Sequence, residues 1–377
     1  MSVVSLRDPR RQFLRLLAPP VCGPPVTAFG GSATSGDPQV WRPCVSDAPG
    51  TMTAFTNFSG FTQADQCHNP VLSPDGSKIL FEILQTSTGF REIWVVDAVP
   101  GSTPTQLVAD TSNYVVHPAW GPDSDTFVYV HCAGGALLNG TIYKDAVSAP
   151  GSPTSLKAAS GGYSPFRPQV NFDGSRVAYI WDQNAGALAD LRCMDDDGAN
   201  DSSLDNTIGG NDFNDPPQFS WANTQNVIAY QDGKIGANKV YVIDDTGSGK
   251  TQINANGAAA GAAAVISGRA WPADDSFVVI TANIGAGYFS VIRAEVDGST
   301  TSSLSSTIGA ANQNWFRDAL VYNNRIWFIR TTDNTDGVGR IGSMALDGTD
   351  ERTDFASNAG TGDQVYPFLG GDGFYHN

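Results

Sequence analysis

Apolar and polar positions alternate in short runs along the whole chain, and Gly, Pro, Asn and Asp break the runs at intervals too short for helices. Lys78–Phe81 (KILF), Phe127–Val130 (FVYV), Arg176–Ile180 (RVAYI) and Phe277–Ile280 (FVVI) are rich in β-branched and aromatic residues, the types that favour strands. A turn pair stands before each of them: Asp75-Gly76, Asp123-Ser124, Asp173-Gly174 and Asp275-Ser276. Such pairs tolerate the positive φ of tight turns, so the pattern predicts a succession of hairpins.

The hairpins repeat. NPVLSPDGSKILF, HPAWGPDSDTFVYV, RPQVNFDGSRVAYI, PQFSWANTQNVIAY, RAWPADDSFVVI, RDALVYNNRIWFI and YPFLGGDGFYHN align on Pro70, Pro118, Pro168, Pro217, Ala270, Asp318 and Pro367, about 49 residues apart. A second hairpin follows each of the first six, as in EIWVVDAVPGS (Glu92–Ser102) and KVYVIDDTGSG (Lys239–Gly249). Two hairpins per repeat make a four-stranded blade, and blades arranged in a ring make a β-propeller. The last repeat lacks its second half, whereas QVWRPCVSDAPGTMTAF (Gln39–Phe55) reads as a second half with no first. The sequence therefore predicts a seven-bladed β-propeller over residues 39–377. Its last blade is closed by N-terminal and C-terminal strands, which removes the exposed edges of an open stack.

The Pro-Asp-Gly turn before an apolar strand, with a following strand that ends in Asp-x-x-Gly, resembles the TolB-like β-propeller family. The resemblance covers residues 39–377 and is best in the first three repeats. It implies a protein-binding scaffold; some members of the family carry a peptidase domain alongside.

Charge narrows the partners. A net charge of -16 opposes the phosphates of nucleic acid and the surface of anionic lipid, and no window is long and apolar enough to span a bilayer. Protein partners are expected. Five widely spaced cysteines (Cys22, Cys44, Cys67, Cys132, Cys193) form no Cys-x-x-Cys pair, so buried free thiols are predicted rather than a zinc site or a disulfide framework.

Candidate chemistry is sparse. Asp244–Ile253 (DDTGSGKTQI) resembles a phosphate-binding loop but has Asp244 where that loop needs its first Gly, and it occupies a hairpin position of the repeat. Met194–Asp205 (MDDDGANDSSLD) offers carboxylates to calcium without the ligand order or distal Glu of an EF-hand loop. No cofactor is predicted, and calcium is compatible but not indicated. The chain has four His and neither a Gly-x-Ser-x-Gly nor a His-Glu-x-x-His motif, so a non-enzyme is expected. A propeller hydrolase or lyase with a channel site is the enzymatic alternative.

The residue before each aligned Pro or its equivalent reads Asn69, His117, Arg167, Pro216, Arg269, Arg317 and Tyr366. Equivalent positions stand at equal height around a propeller axis. His117, Arg167, Arg269 and Arg317 are therefore a candidate binding site at the channel mouth for a carboxylate-bearing peptide or partner loop. The competing reading pairs these arginines with Asp65, Asp212 and Asp318 as structural ion pairs.

Residues 1–38 fall outside the predicted ring. Asp8–Pro19 (DPRRQFLRLLAP) fits a short helix, with Arg10, Arg11, Phe13, Leu14 and Leu17 as docking residues, ahead of an extended Pro/Gly-rich tether. Charges interrupt its apolar run, so no secretory signal is predicted. Together these features predict a non-enzymatic protein-binding or structural propeller. It would be assembled in the cytoplasm and docked through its arm as a subunit of a larger particle, such as a phage virion tail or decoration component. A free TolB-like scaffold, cytoplasmic or periplasmic, is the alternative. The uncharged insertion Asn254–Gly268 predicts a packed loop.

Overall fold

The computed structural model describes residues 29–31, 39–43 and 52–54. It also describes 66–353 apart from 86, 100, 134–138, 184–188, 209–217, 233–238, 261, 263, 285–288, 306–314, 323 and 332–338. Strands β1 (Phe29–Gly31), β2 (Gln39–Pro43) and β3 (Met52–Ala54) form a three-stranded sheet, and six four-stranded antiparallel sheets follow.

Blade 1 comprises β4 (Gln66–Leu72), β5 (Lys78–Leu84), β6 (Arg91–Asp97) and β7 (Thr105–Val108). Blade 2 comprises β8 (Tyr114–Trp120), β9 (Thr126–Cys132), β10 (Gly140–Ala146) and β11 (Thr154–Ala158). Blade 3 comprises β12 (Tyr163–Val170), β13 (Arg176–Gln183), β14 (Ala189–Asp195) and β15 (Ser202–Ile208). Blade 4 comprises β16 (Phe219–Trp221), β17 (Val227–Asp232), β18 (Lys239–Asp244) and β19 (Thr251–Gln252). Blade 5 comprises β20 (Ala264–Val265), β21 (Phe277–Asn283), β22 (Phe289–Glu295) and β23 (Thr301–Ser303). Blade 6 comprises β24 (Trp315–Tyr322), β25 (Arg325–Thr331), β26 (Gly339–Ala345) and β27 (Arg352–Thr353). The first strand of one blade packs on the first strand of the next, β4 on β8, β8 on β12 and β12 on β16, so these strands line the axis.

Second strands are buried on both faces. All five central residues of β5, Ile79–Ile83, are buried, because a neighbouring blade covers each side of the sheet. At one repeat position Phe81, Tyr129, Tyr179, Tyr230 and Phe328 fill the inter-blade space. Side chains also tie blade to blade. The indole N–H groups of Trp120, Trp221 and Trp271 donate to Val71 O, Gln169 O and Ser220 O of the preceding blade, at 2.8, 3.2 and 3.0 Å. Gly198, Gly298 and Gly348 stand at positive φ in their hairpins, where a Cβ would lie 2.6 Å from a carbonyl oxygen of the preceding blade. That close approach is why glycine recurs in the Asp-x-x-Gly phrase. The Asn254–Gly268 insertion is packed as expected: Ala259, Ala264 and Ile266 join Val240 and Ile253 in one apolar cluster.

The blade count corrects the sequence reading. The described residues form six four-stranded blades, not seven. Blade 6 returns to blade 1 through Tyr322, which packs with Leu72, Ile79 and Phe81, its Oη 3.8 Å from where a Cβ on Gly76 would stand. The Gln39 hairpin was expected to be the outer half of a shared seventh blade. It instead takes Phe29–Gly31 as a partner, with Phe29 opposite Trp41, and β1 lies beside β4. Phe29–Gly31 had read as tether. The C-terminal repeat at Pro367 and the docking residues Arg10, Arg11, Phe13, Leu14 and Leu17 lie outside the described residues.

Candidate functional site

A bulge interrupts the axial strand of several blades at one repeat position. Pairing in blade 1 runs from His68 opposite Glu82 directly to Val71 opposite Leu80, which leaves Asn69 and Pro70 facing Phe81. His117–Pro118 in blade 2 and Arg167–Pro168 in blade 3 are displaced in the same way. Asn69, His117 and Arg167 all adopt left-handed backbone, with φ of 46°, 56° and 50°. Such a conformation is uncommon for non-glycine residues, and proline normally pushes its predecessor into extended backbone. Three consecutive blades therefore hold strain at one height of the channel.

The position lies mid-strand, so His117 and Arg167 sit at the waist of the channel rather than at its mouth. The waist is built around Glu82, which is 0% exposed. Its Oε1 accepts from Asn69 Nδ2 at 2.7 Å and from the His117 backbone N–H at 2.8 Å. Its Oε2 accepts from the Arg91 guanidinium at 3.1 Å. Glu82 thus fixes the left-handed turn of the next blade and offsets one buried cation. Arg167, 4% exposed, stands beside His117, whose ring meets Phe166 edge-on at 6.3 Å. Burial, then the charges of Arg167 and Arg91, hold the His117 imidazole well below its ordinary pKa. Its Nδ1 is buried and has no hydrogen-bond partner among the described residues.

The other two predicted residues do not join this group. Arg269 lies at the Asp-turn end of the channel, where it donates to Leu72 O of blade 1 at 2.7 Å and covers the Tyr322 ring at 5.7 Å. In blade 6, pairing passes from Arg317 opposite Ile329 to Leu320 opposite Trp327. The bulge residue equivalent to His117 is therefore Asp318, and Arg317 is one position early. Without a proline to anchor it, the alignment slipped there. Asp65 and Asp212, the proposed ion-pair partners, lie outside the described residues. Sequence reasoning missed Glu82 and Arg91, although a glutamate inside the apolar run KILFEIL is itself a signal that a buried partner must exist.

The remaining candidates resolve into structure. Asp244 accepts from the backbone of Thr246 and Ser248 in its own turn, and Lys250 Nζ binds Asp205 Oδ2 at 2.5 Å, so the loop-like DDTGSGK segment is a hairpin. In the acidic stretch, Asp195 binds Arg176 and Asn200, Asp196 binds Lys144, and Asp201 binds Lys157 and Arg192. No group of three His, Cys, Asp or Glu among the described residues is placed to hold a metal ion. Burial pushes the Cys132 and Cys193 thiols up to about 12 and about 11, as expected of structural cysteines.

No protein-family model and no curated protein matches the chain. Similar solved structures include oligogalacturonate lyase in complex with manganese (TM-score 0.59, 11% identity, 89% of this chain and 85% of that one). They also include a prolyl endopeptidase (0.59, 11%, 87% and 50%) and TolB from Acinetobacter baumannii (0.47, 14%, 77% and 63%). The chain thus spans half the length of the endopeptidase. At these identities the likeness is one of fold, a β-propeller of four-stranded antiparallel blades.

Proposed function

We propose that the protein is a non-catalytic propeller that binds a protein partner by receiving a carboxylate-bearing peptide or loop in its channel. The observation that carries this reading is the group at the channel waist. Arg91, His117 and Arg167 come together there with the buried carboxylate of Glu82, within a chain of net charge -16. Guanidinium groups recognise carboxylates through paired, charge-assisted hydrogen bonds, and a surrounding acidic surface rejects anions that lack access to the channel. The resemblance of the turn phrase to TolB-like propellers points the same way. In a larger particle such as a virion, residues 1–38 would serve as the docking arm, leaving the disc to present its channel outward.

The test is calorimetric titration of the full chain with short peptides that differ only in a free or amidated C-terminus. The free acid is expected to bind at least tenfold more tightly, with affinity falling as salt is added. Equal affinities, or cleavage of oligogalacturonate by the protein, would overturn the reading in favour of a carboxylate-independent surface or a lyase.

A further inference from the structure

We propose that residues 8–19 of one copy dock on the Asp-turn face of a second copy, so that chains join arm to face. The inference gives the docking arm its receptor and does not depend on a carboxylate in the channel. Strands alternate in direction within each blade, so the turn after the first strand and the turn after the third lie at one end of the ring. Neighbouring turns are joined there: the Asp75 backbone N–H donates to Ser124 Oγ at 3.0 Å, and that of Asn223 to Asp275 Oδ1 at 2.7 Å. Asp75, Asp123, Asp173, Asp274, Asp297 and Asp347 are exposed on this face. In the last five, Oδ1 accepts the hydrogen bonds that brace the turn, and Oδ2 accepts none among the described residues. Cations at this end of the strands are already held, Lys78 by Asp97, Lys144 by Asp196 and Arg325 by Asp350. The six carboxylates form no ion pair among the described residues.

Apolar groups stand on the same face. Among the described residues the exposed large apolar side chains are Val99, 61% exposed, and Phe172, 40% exposed, and each belongs to a turn at this end of the ring. Pro74 and Pro122 are exposed beside Asp75 and Asp123, as Phe172 is beside Asp173. A Cβ on Gly174 would lie 3.2 Å from Pro122, so the turns that carry Pro122 and Phe172 abut. Exposed apolar groups set among unpaired carboxylates suit a partner that is apolar and basic at once. The arm has that chemistry: Asp8–Pro19 sets Phe13, Leu14 and Leu17 among Arg10, Arg11 and Arg15, with Asp8 as its one acid. The nine residues between Pro19 and Phe29 include Pro20, Pro24 and Pro25. Proline stiffens such a tether toward about 3 Å per residue, which favours reaching a neighbouring disc over folding back. A contact between two different patches of one chain is head-to-tail, and it generates a ring or a filament. Each disc would then have the Asp-turn end of its channel covered and the other end left open.

Sedimentation velocity on the full chain is the test. The chain is expected to self-associate as its concentration rises, and about tenfold less tightly when salt is raised from about 50 mM to about 500 mM. Arg10→Glu, Arg11→Glu and Arg15→Glu together reverse the charge of the arm. Asp123→Asn, Phe172→Ser and Asp173→Asn together weaken the face while keeping the oxygen that braces each turn. Each set alone is expected to leave a monomer. A mixture of the two variants is expected to restore a dimer that grows no further, because the intact arm of one meets the intact face of the other. A wild-type chain that stays monomeric at every concentration overturns the inference, and an arm that covers its own face would give that result. Association that survives either set, or a mixture of folded variants that stays monomeric, also overturns it. The arm set changes no residue of the described blades, so its result stands even where the face set fails to fold.

Discussion

Glu82 shows how one side chain can organise a site. It is a charged residue in the buried, otherwise apolar centre of its strand, and it offsets its burial with three hydrogen bonds from Asn69, Arg91 and the His117 backbone. Glu82→Gln keeps an acceptor for Asn69 and His117 but takes the negative charge away from the buried Arg91 guanidinium. The expected cost is about 3 kcal/mol of unfolding free energy by urea denaturation, the lower end of what breaking a buried ion pair costs. A loss below about 0.5 kcal/mol would mean that the charge of Arg91 is offset by other groups, a result typical of exposed pairs. Much of this site was legible in the sequence: proline marks the bulge in blades 1 to 3, so His117 and Arg167 were placed at one register position correctly. Arg317 was not, because the sixth repeat has Ala319 where those repeats have proline. Arg91 escaped notice because it sits on a third strand, brought to the waist only by folding.

At the scale of the element, several aspartates are engaged by their own turns. Asp173, Asp274, Asp297 and Asp347 each accept from the hydroxyl and backbone N–H of the Ser or Thr two residues on, and these bonds lower their carboxyl pKa values. A carboxylate whose folded pKa lies below its unfolded value stabilises the fold above the unfolded pKa and loses that contribution as pH falls through the folded one. Stability is therefore expected to decline below about pH 4, with the turns as one source. Replacing Asp173 and Asp297 together by Asn should flatten that acid limb in thermal melts between about pH 5 and pH 3. An unchanged limb would assign acid sensitivity to other carboxylates, such as Asp201, where burial opposes and Arg192 and Lys157 favour the charged form. The turns were readable from sequence because their chemistry is local. The ties between blades, such as Asp275 accepting from the Asn223 and Thr224 backbone N–H groups of the previous blade, were not, since they join residues about 50 positions apart.

For the whole molecule the question is where the ring closes. Counting repeats gave six complete copies and two halves; of the halves, the Gln39 hairpin pairs with Phe29–Gly31 beside blade 1, and the C-terminal one lies outside the described residues. The described residues hold six four-stranded blades, and Tyr322 of blade 6 packs against the Leu72, Ile79 and Phe81 cluster of blade 1. Closure through one aromatic side chain makes a specific energetic claim: Tyr322 and Leu72 should be coupled although 250 residues separate them in the chain. Tyr322→Ala and Leu72→Ala are each expected to destabilise the fold by about 2–4 kcal/mol, as buried large-to-small changes do. The double variant should lose less than the sum, by about 0.5–2 kcal/mol in a double-mutant cycle, because residues in contact share a cavity once either is truncated. Strict additivity would separate blade 6 from blade 1 and leave room for another sheet between them. Coupling would instead hold blade 6 against blade 1, whose β4 also packs on the N-terminal sheet, and would leave Arg269 as a second tie that reaches Leu72 from blade 5.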